Sequence, residues 1–165
     1  MTTDTIHRTV LFVVLLLLQS LVFNHIWLFG YATVFVLVYF VILFPRNYPR
    51  WASLLWAFAL GLLADLFANT PGMTAAALTL VAFVQPPLLE LFIPRNAVEN
   101  LKSAASTLGF TRFLTLTSIL VSLFCLIFFS LEAFTFFHWL QWLLNVVGSS
   151  ILTIAVLIAF ETIRR

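Results

Sequence analysis

Long apolar runs, separated by short polar or proline-containing breaks, fill almost the whole chain. The runs are continuously apolar rather than strictly alternating, which is typical of membrane helices and not of membrane barrels. A helix needs about 20 apolar residues to cross the hydrocarbon core of a bilayer. The pattern predicts an all-α, polytopic membrane protein that forms one domain over residues 1–165 and has six spans: Ile6–Phe23, Ile26–Phe44, Trp51–Phe67, Gly72–Ile93, Arg112–Leu131 and Phe136–Ile163.

The breaks between these spans are not equally distinct. Pro45–Arg50 contains two prolines and two arginines, and Pro94–Thr111 is the longest polar segment. Prolines and charges of this kind end an apolar helix. Within the first apolar stretch, Asn24-His25 is the predicted position of the turn, and Gly30 is the alternative.

Basic residues provide an independent test of the six-span division. All eight fall on one side of the membrane when six spans are drawn: Arg8, Arg46, Arg50, Arg95, Lys102, Arg112, Arg164 and Arg165. Lys and Arg collect in short cytoplasmic loops, so both termini are expected in the cytoplasm. Treating Val10–Phe44 as one span would need a helix of roughly 50 Å, far longer than the bilayer core is thick.

Composition excludes a water-soluble protein and gives no support to nucleic-acid binding. Hydrophobic residues make up 63% of the chain and charged residues 8%, whereas soluble domains are about half apolar and about a quarter charged. The basic residues are spread over four loops and are explained by topology, so no nucleic-acid partner is expected. The single cysteine, Cys125, leaves no internal disulfide.

One carboxylate, Asp65, lies inside the third span, where a charge costs a few kcal/mol and usually faces a partner or a cavity. Gly61, one turn earlier, would let a neighbouring backbone approach closely. Thr70-Pro71-Gly72 supplies a tight turn, and the free N–H groups of the next helix could attract the carboxylate. The sequence predicts that Asp65 closes this hairpin, with a proton or ion site, or a partner contact, as alternatives. We expect Asp65→Asn to be mild and Asp65→Leu harmful.

The fourth span contains Gln85, Pro86 and Pro87 in succession. Proline removes a helical hydrogen bond, so these residues are expected to bend or break the helix. One interpretation is a kink whose end lies along the membrane interface. The alternative is a discontinuous helix that lines a binding site, as in transporters.

Polar residues recur at helical spacing along each of the last two spans. They are Thr111, Thr115, Ser118, Ser122 and Cys125 on the fifth, and His138, Gln141, Asn145, Ser149 and Thr153 on the sixth. The two stripes are predicted to pack against each other through interhelical hydrogen bonds. A polar pocket, or a docking groove for another membrane helix, is the alternative.

Motifs of known enzyme classes are missing from the sequence. It has no HExxH, GxSxG, phosphate-binding loop or cysteine-rich metal pattern, and its three histidines lack ligand spacing. From these motifs we therefore expect no catalytic constellation, no cofactor and no metal.

Several short stretches in order resemble one family of membrane proteins. Gly61, Asp65 and Gly72 resemble the G-x-x-x-D…G hairpin of MreD, the rod shape-determining membrane protein. Further along the chain, four stretches resemble the cytoplasmic loop and the end of the fifth helix in one MreD subgroup: Pro94-Arg95-Asn96, Glu99-Asn100, Leu108-Gly109-Phe110 and Phe128–Glu132. The resemblance covers nearly the whole chain and departs from the subgroup at Gln85, where a basic residue is expected.

The resemblance implies a scaffold in the bacterial cytoplasmic (inner) membrane that belongs to the elongation complex for lateral cell-wall synthesis. MreD proteins associate with the single-span protein MreC, and through it with the polymerase RodA, a penicillin-binding transpeptidase and MreB filaments. Their fold is similar to the substrate-binding subunits of energy-coupling-factor vitamin transporters. A small-molecule-binding subunit of such a transporter is therefore the alternative function.

Overall fold

A computed structural model of the chain describes residues 2–25, 33–96, 105–134 and 138–164. These residues form helices and no strands. The helices are α1 (Thr2–Leu17), α2 (Leu37–Ile42), α3 (Arg50–Ala68), α4 (Met73–Phe92), α5 (Ala105–Leu108), α6 (Phe110–Glu132) and α7 (Trp139–Arg164). A π-helical turn, Leu18–Val22, and a 3-10 turn, Phe23–His25, prolong α1.

Helices long and apolar enough to cross a membrane account for most of the described residues. They are Thr2–Val22, Arg50–Ala68, Met73–Phe92, Phe110–Glu132 and Trp139–Arg164. The all-helical character predicted from the sequence is confirmed, these five helices fit a multi-pass membrane protein, and the predicted bounds of the last four lie within a few residues of these. The division between cytoplasm and exterior stays a prediction.

The second predicted span, Ile26–Phe44, differs from the continuous helix expected. Residues 26–32, which include the alternative turn at Gly30, lie outside the described residues. Residues 33–35 have no regular secondary structure, Val36 already has helical φ and ψ, and Leu37–Ile42 forms α2. At about 3.3 Å for each residue of an extended chain and about 1.5 Å for each helical one, residues 33–44 advance by roughly 23 Å, most of the thickness of a bilayer core. A twelve-residue segment therefore covers a distance that a helix would need more residues to cover.

Residues 33–44, which we call the central segment, form the middle of the bundle. Almost all of its side chains are buried: Val34, Phe35, Val36, Leu37, Val38, Tyr39, Phe40, Val41, Ile42 and Phe44 are each at most 6% exposed. Phe35 packs against Phe124 and Phe128 of α6, with ring centroids 5.0 and 4.7 Å away. Phe40 packs against Phe12 of α1 at 5.8 Å. A helix that is apolar all round belongs in a core, and α2 occupies one.

Contacts with the central segment fix the direction of the other helices. Phe35 lies beside the C-terminal third of α6, and Phe44 accepts a hydrogen bond from Gln85 in the C-terminal half of α4. The Arg8 guanidinium lies 3.9 Å from the centre of the Tyr48 ring, which brings the start of α1 beside the connection between α2 and α3. The start of α1, that connection, the end of α4 and the start of α6 therefore lie at the same end of the bundle.

The two ends of the bundle differ in charge. The end just described, which we call the basic end, carries all arginines of the described residues: Arg8, Arg46, Arg50, Arg95, Arg112 and Arg164. The opposite end, which we call the hairpin end, carries the turn Asn69–Gly72 between α3 and α4. This separation is the one expected from the positive-inside rule.

Helix α4 runs without a break through Pro86 and Pro87, from Met73 to Phe92. The alternative of a discontinuous helix that lines a binding site is therefore wrong, whereas the kink at the prolines stays a prediction. The Gln85 side chain donates from Nε2 to the carbonyl oxygen of Phe44 at 3.3 Å. That carbonyl lies just past the end of α2. The hydrogen bond therefore connects α4 to the central segment, next to Pro86 and Pro87.

Large apolar side chains cover the outer surface of the long helices. They include Ile6, Val10, Val13, Val14, Leu55, Leu62, Leu66, Phe83, Leu140, Leu144 and Ile151, each at least 46% exposed except Leu62 at 43%. A soluble protein rarely exposes so much contiguous apolar surface. The outer surface fits a surrounding of lipid chains.

Candidate functional site

Asp65, at the end of α3, binds the first turn of α4. Its Oδ1 accepts hydrogen bonds from the backbone N–H of Thr74 at 3.0 Å and from the Thr70 hydroxyl at 2.9 Å. Its Oδ2 accepts from the backbone N–H of Ala75 at 3.0 Å. The carboxylate is 3% exposed. Asp65 thus caps α4 from the preceding helix, and the predicted closing of the hairpin is confirmed.

The turn between α3 and α4 depends on two residues with positive φ. Asn69 has φ 58° and ends α3, and Gly72 has φ 80° and precedes α4. Asn and Gly are the residues that adopt this conformation most readily. Pro71 is exposed within the turn predicted for Thr70-Pro71-Gly72, and Gly72 is the N-cap of α4.

Gly61 lies where α3 and α4 touch backbone to backbone. A Cβ built on Gly61 would lie 2.5 Å from Cα of Ala75, 2.7 Å from its N and 2.9 Å from C of Thr74. These atoms are backbone atoms, so no side chain can move aside. The close approach brings the N–H groups of Thr74 and Ala75 within reach of Asp65, one turn further along α3.

We expect Gly61→Ala to lower the melting temperature of the detergent-purified protein by about 5 °C, since overpacking costs about 2 kcal/mol. The sign is informative because Ala favours a helix over Gly by about 1 kcal/mol when nothing clashes. Ala76→Val is the matched control: it adds volume to the exposed side of the same hairpin and is expected to change little. A higher melting temperature for Gly61→Ala would contradict the close contact.

A second polar cluster holds the extended part of the central segment. The Gln19 side chain, 4% exposed in the π-helical turn after α1, donates from Nε2 to the carbonyl of Val34 at 3.0 Å. Its Oε1 accepts from the N–H of Val36 at 2.9 Å. One amide side chain thereby replaces both hydrogen bonds that a neighbouring strand would supply.

Helix α7 binds the other side of the same extended residues. The Ser149 hydroxyl oxygen accepts from the N–H of Thr33 at 3.1 Å, and the Thr153 hydroxyl oxygen accepts from the N–H of Phe35 at 3.2 Å. Ser149 and Thr153 are one helical turn apart, and alternate residues of an extended chain point the same way. We call Gln19, Ser149 and Thr153 the polar clamp.

Two turns beyond Thr153, the buried Glu161 continues the same face of α7. The Tyr39 hydroxyl of α2 donates to Oε2 of Glu161 at 2.7 Å and accepts from the Arg164 guanidinium at 3.4 Å. Contacts therefore advance in the same direction along the central segment and α7. Six alternating crossings would require the second and the sixth to run in that same direction.

The predicted packing of two polar stripes against each other is wrong for most of their length. On α6, the hydroxyls of Thr115 and Ser118 donate to carbonyls of their own helix, and Thr111, Thr115 and Ser122 are exposed. Cys125 is buried and has a hydrogen bond with Ser150 of α7, next to the stripe on that helix. On α7, Ser149 and Thr153 bind the central segment instead. Non-helical backbone in the core of a membrane protein needs partners, which explains why these hydroxyls face it rather than α6.

The remaining candidate residues take separate positions. Asn145 lies one turn before Ser149 and is partly buried, and its Oδ1 has no hydrogen-bond partner among the described residues. Pro86 is partly buried and Pro87 is exposed on α4. Arg95 is exposed just after α4, at the basic end. None of these four touches the polar clamp through a hydrogen bond in the described part of the chain.

Sequence reasoning missed Gln19, Tyr39 and Glu161. Gln19 is a residue with an amide side chain inside an otherwise apolar run, and Glu161 is an acid one turn from the end of the last span. A polar group at such a position nearly always has a partner in the protein. The sequence therefore indicates that these groups have partners but does not identify them. The partner of Glu161, Tyr39, lies more than a hundred residues away along the chain.

Comparison of the chain with protein-family models, with curated proteins and with solved structures finds no match. The functional argument therefore depends on the geometry described above and on the residues themselves.

Proposed function

We propose that this protein is a non-enzymatic membrane scaffold of the bacterial cell-shape machinery, as its sequence resemblance to MreD implies. It would bind an MreC-like single-span protein and, through it, a RodA-type polymerase, a penicillin-binding transpeptidase and MreB filaments. The observation that carries the proposal is the use of the intramembrane polar groups. Gln19, Asp65, Ser149 and Thr153 all bind backbone groups of the bundle itself.

This use of polar groups favours a rigid body over a catalyst or a carrier. Asp65 connects α3 to α4 at the hairpin end, and the polar clamp connects the end of α1 to α7 through the central segment. These hydrogen bonds hold the helices in one arrangement. A scaffold needs such a fixed surface on which partner helices can pack. A transport subunit would instead need polar groups directed into a pocket for its solute.

The exposed stripe of α6 is the surface on which we place the partner helix. Thr111, Thr115 and Ser122 are exposed and Ser118 is half-buried, at helical spacing on a surface otherwise covered by apolar side chains. Small and hydroxyl-bearing residues allow membrane helices to approach closely. A partner helix can pack closely against such residues and form hydrogen bonds with them, whereas lipid chains cannot form hydrogen bonds.

Replacing Ser118 and Ser122 together by Leu is expected to reduce co-purification of the MreC-like protein at least tenfold without lowering the melting temperature. The reason is that two bulky side chains would keep a partner backbone away from α6. Leu62→Phe, which adds similar bulk to an exposed position on α3, is the matched control and should retain the partner. Equal loss in the control would argue against α6 as the partner surface.

The proposed function itself is tested by depletion in the bacterium that encodes the protein. Rod-shaped cells are expected to widen and become round as the protein is lost. Unchanged cell width, together with no MreC-like protein in the purified material, would contradict the scaffold. Native mass spectrometry that finds a retained vitamin-like mass instead of a protein partner would favour the transport subunit.

A further inference from the structure

Four arginines at the basic end are exposed and have no partner within the described residues. They are Arg46, Arg50, Arg95 and Arg112, which we call the arginine rim. The other two described arginines behave differently: Arg8 stacks on the ring of Tyr48 at 3.9 Å, and Arg164 donates to the Tyr39 hydroxyl at 3.4 Å. Within the described residues, the rim is therefore the part of the basic end whose charge has no partner in the protein.

Three members of the rim lie at the ends of neighbouring helices. Helix α4 packs against both α3 and α6. Arg50 is the first residue of α3, Arg112 is in the first turn of α6, and Arg95 follows the end of α4 between them. Arg46 is in the connection that leads into α3. The guanidinium groups thus follow one edge of the bundle rather than scattering around it.

Helix stability does not account for this placement. A positive charge in the first turn of a helix is unfavourable, because that end of the helix already carries partial positive charge. Both Arg50 and Arg112 are in that position, and neither first turn contains an acidic residue. Among the described residues, the acids at the basic end are the exposed Glu90 on α4, the exposed Asp4 on α1 and Glu161, which is buried against Tyr39. None of them forms an ion pair with the rim.

Exposed apolar side chains border the rim on the side of the long helices. Trp51 is 72% exposed, Leu91 78% and Phe110 47%. Each is within a turn of a rim arginine. Aromatic and apolar groups beside cationic heads are typical of the boundary between lipid chains and headgroups. The rim is therefore at the level of the lipid phosphates.

We propose that the arginine rim binds the headgroups of anionic phospholipids. A guanidinium group matches the phosphate oxygens with two parallel hydrogen bonds, which makes Arg a better partner for phosphate than a point charge is. An anionic headgroup brings negative charge without the ammonium group that neutralises phosphatidylcholine. This inference does not depend on the proposed function, since a scaffold and a transport subunit could both hold such a lipid.

The test uses the full-length protein purified in mild detergent and mixed with equal amounts of phosphatidylglycerol and phosphatidylcholine that have the same acyl chains. Native mass spectrometry counts the lipids of each kind that stay bound. The unmodified protein is expected to retain phosphatidylglycerol preferentially. The double variant Arg50→Gln with Arg112→Gln should reduce that preference at least tenfold. The reason is that each arginine near the membrane surface strengthens binding of an anionic lipid about fivefold.

Three further variants make the result specific. Arg164→Gln removes one positive charge from the same end but from a paired arginine, and should stay within twofold of the unmodified protein. Replacing Arg50 and Arg112 by Lys should give an intermediate preference, because charge is kept and the two-hydrogen-bond geometry is lost. Should the double Gln variant fail to fold, Arg95→Gln, outside any helix, is expected to lower the preference about fivefold.

Three outcomes would overturn the proposal. They are equal retention of the two lipids by the unmodified protein, an unchanged preference in the folded rim variants, and a loss in Arg164→Gln as large as in the rim variants. Displacement of phosphatidylglycerol by a glutamate-rich peptide at equal charge would also overturn it, because it would identify the rim as a site for an acidic protein segment.

Discussion

Gln19→Leu is expected to lower the melting temperature of the detergent-purified protein by about 10 °C, the largest effect of any single replacement in the bundle core. Leu has a similar size but cannot bind the carbonyl of Val34 or the N–H of Val36. Val34 is 2% exposed and Val36 is 0% exposed, so water cannot replace the lost hydrogen bonds. Each buried backbone group left without a partner costs about 1–3 kcal/mol. Two such groups cost about 4 kcal/mol together. For a chain of this size, that loss of stability lowers the melting temperature by about 10 °C.

Gln19→Glu tests whether another group with a donor and an acceptor can replace the amide. Burial favours the protonated carboxyl group, which can accept from the N–H of Val36 and donate to the carbonyl of Val34, so a smaller loss than in Gln19→Leu is expected. Ser20→Ala is the control, because the Ser20 hydroxyl donates only to a carbonyl of its own helix, Leu17, at 3.4 Å. It should change the melting temperature by little. A Gln19→Leu protein as stable as Ser20→Ala would mean that the extended segment does not need the clamp.

The extended residues of the central segment could not be predicted from the sequence. The run that contains them has no glycine or proline between Thr33 and Phe44, and a continuous apolar run does not distinguish helix from extended chain. What decides is the presence of Gln19, Ser149 and Thr153 in the folded bundle. Those residues lie at least 15 positions away along the chain, so their arrangement depends on the tertiary structure.

Local features, in contrast, could be predicted. The Asp65 hairpin involves residues at most ten positions apart, and the turn residues Asn69 and Gly72 carry their conformational preferences with them. The close contact at Gly61 joins the same two consecutive helices across the same short turn. The polar stripe of α7 was predicted only in part. Helical spacing correctly placed Ser149 and Thr153 on one face of α7, but it does not indicate which element that face contacts.

The clamp explains how non-helical backbone is tolerated in a bundle with an apolar exterior. Without water, each unpaired N–H or carbonyl in the core would cost several kcal/mol. Gln19 comes from the π-helical turn that prolongs α1 and the two hydroxyls come from α7, so the first and last long helices are joined through the central segment. The consequence for a scaffold is that the helices nearest the two termini are fixed relative to each other.

Asp65→Leu is expected to lower the melting temperature by roughly 8 °C, corresponding to about 3 kcal/mol. The replacement leaves the N–H groups of Thr74 and Ala75 without partners at buried positions and removes the cap of α4. Glu90→Leu is the matched control, since it removes an exposed acid from the same hairpin and should have little effect. Similar losses in both variants would mean that net charge, rather than capping, is what the hairpin needs.

Asp65→Asn tests whether one or both carboxylate oxygens matter, and the geometry changes the mild effect expected from sequence. Asn keeps one acceptor oxygen for Thr74 and Thr70, but its NH₂ group would then face the N–H of Ala75, so two donors would meet. We therefore expect a loss of about half that of Asp65→Leu, about 1–2 kcal/mol, read from the same melting curves. An Asn variant as stable as the unmodified protein would show that the Ala75 contact contributes nothing. Full loss of shape maintenance at normal protein levels and normal stability would instead assign the negative charge a role in binding a partner.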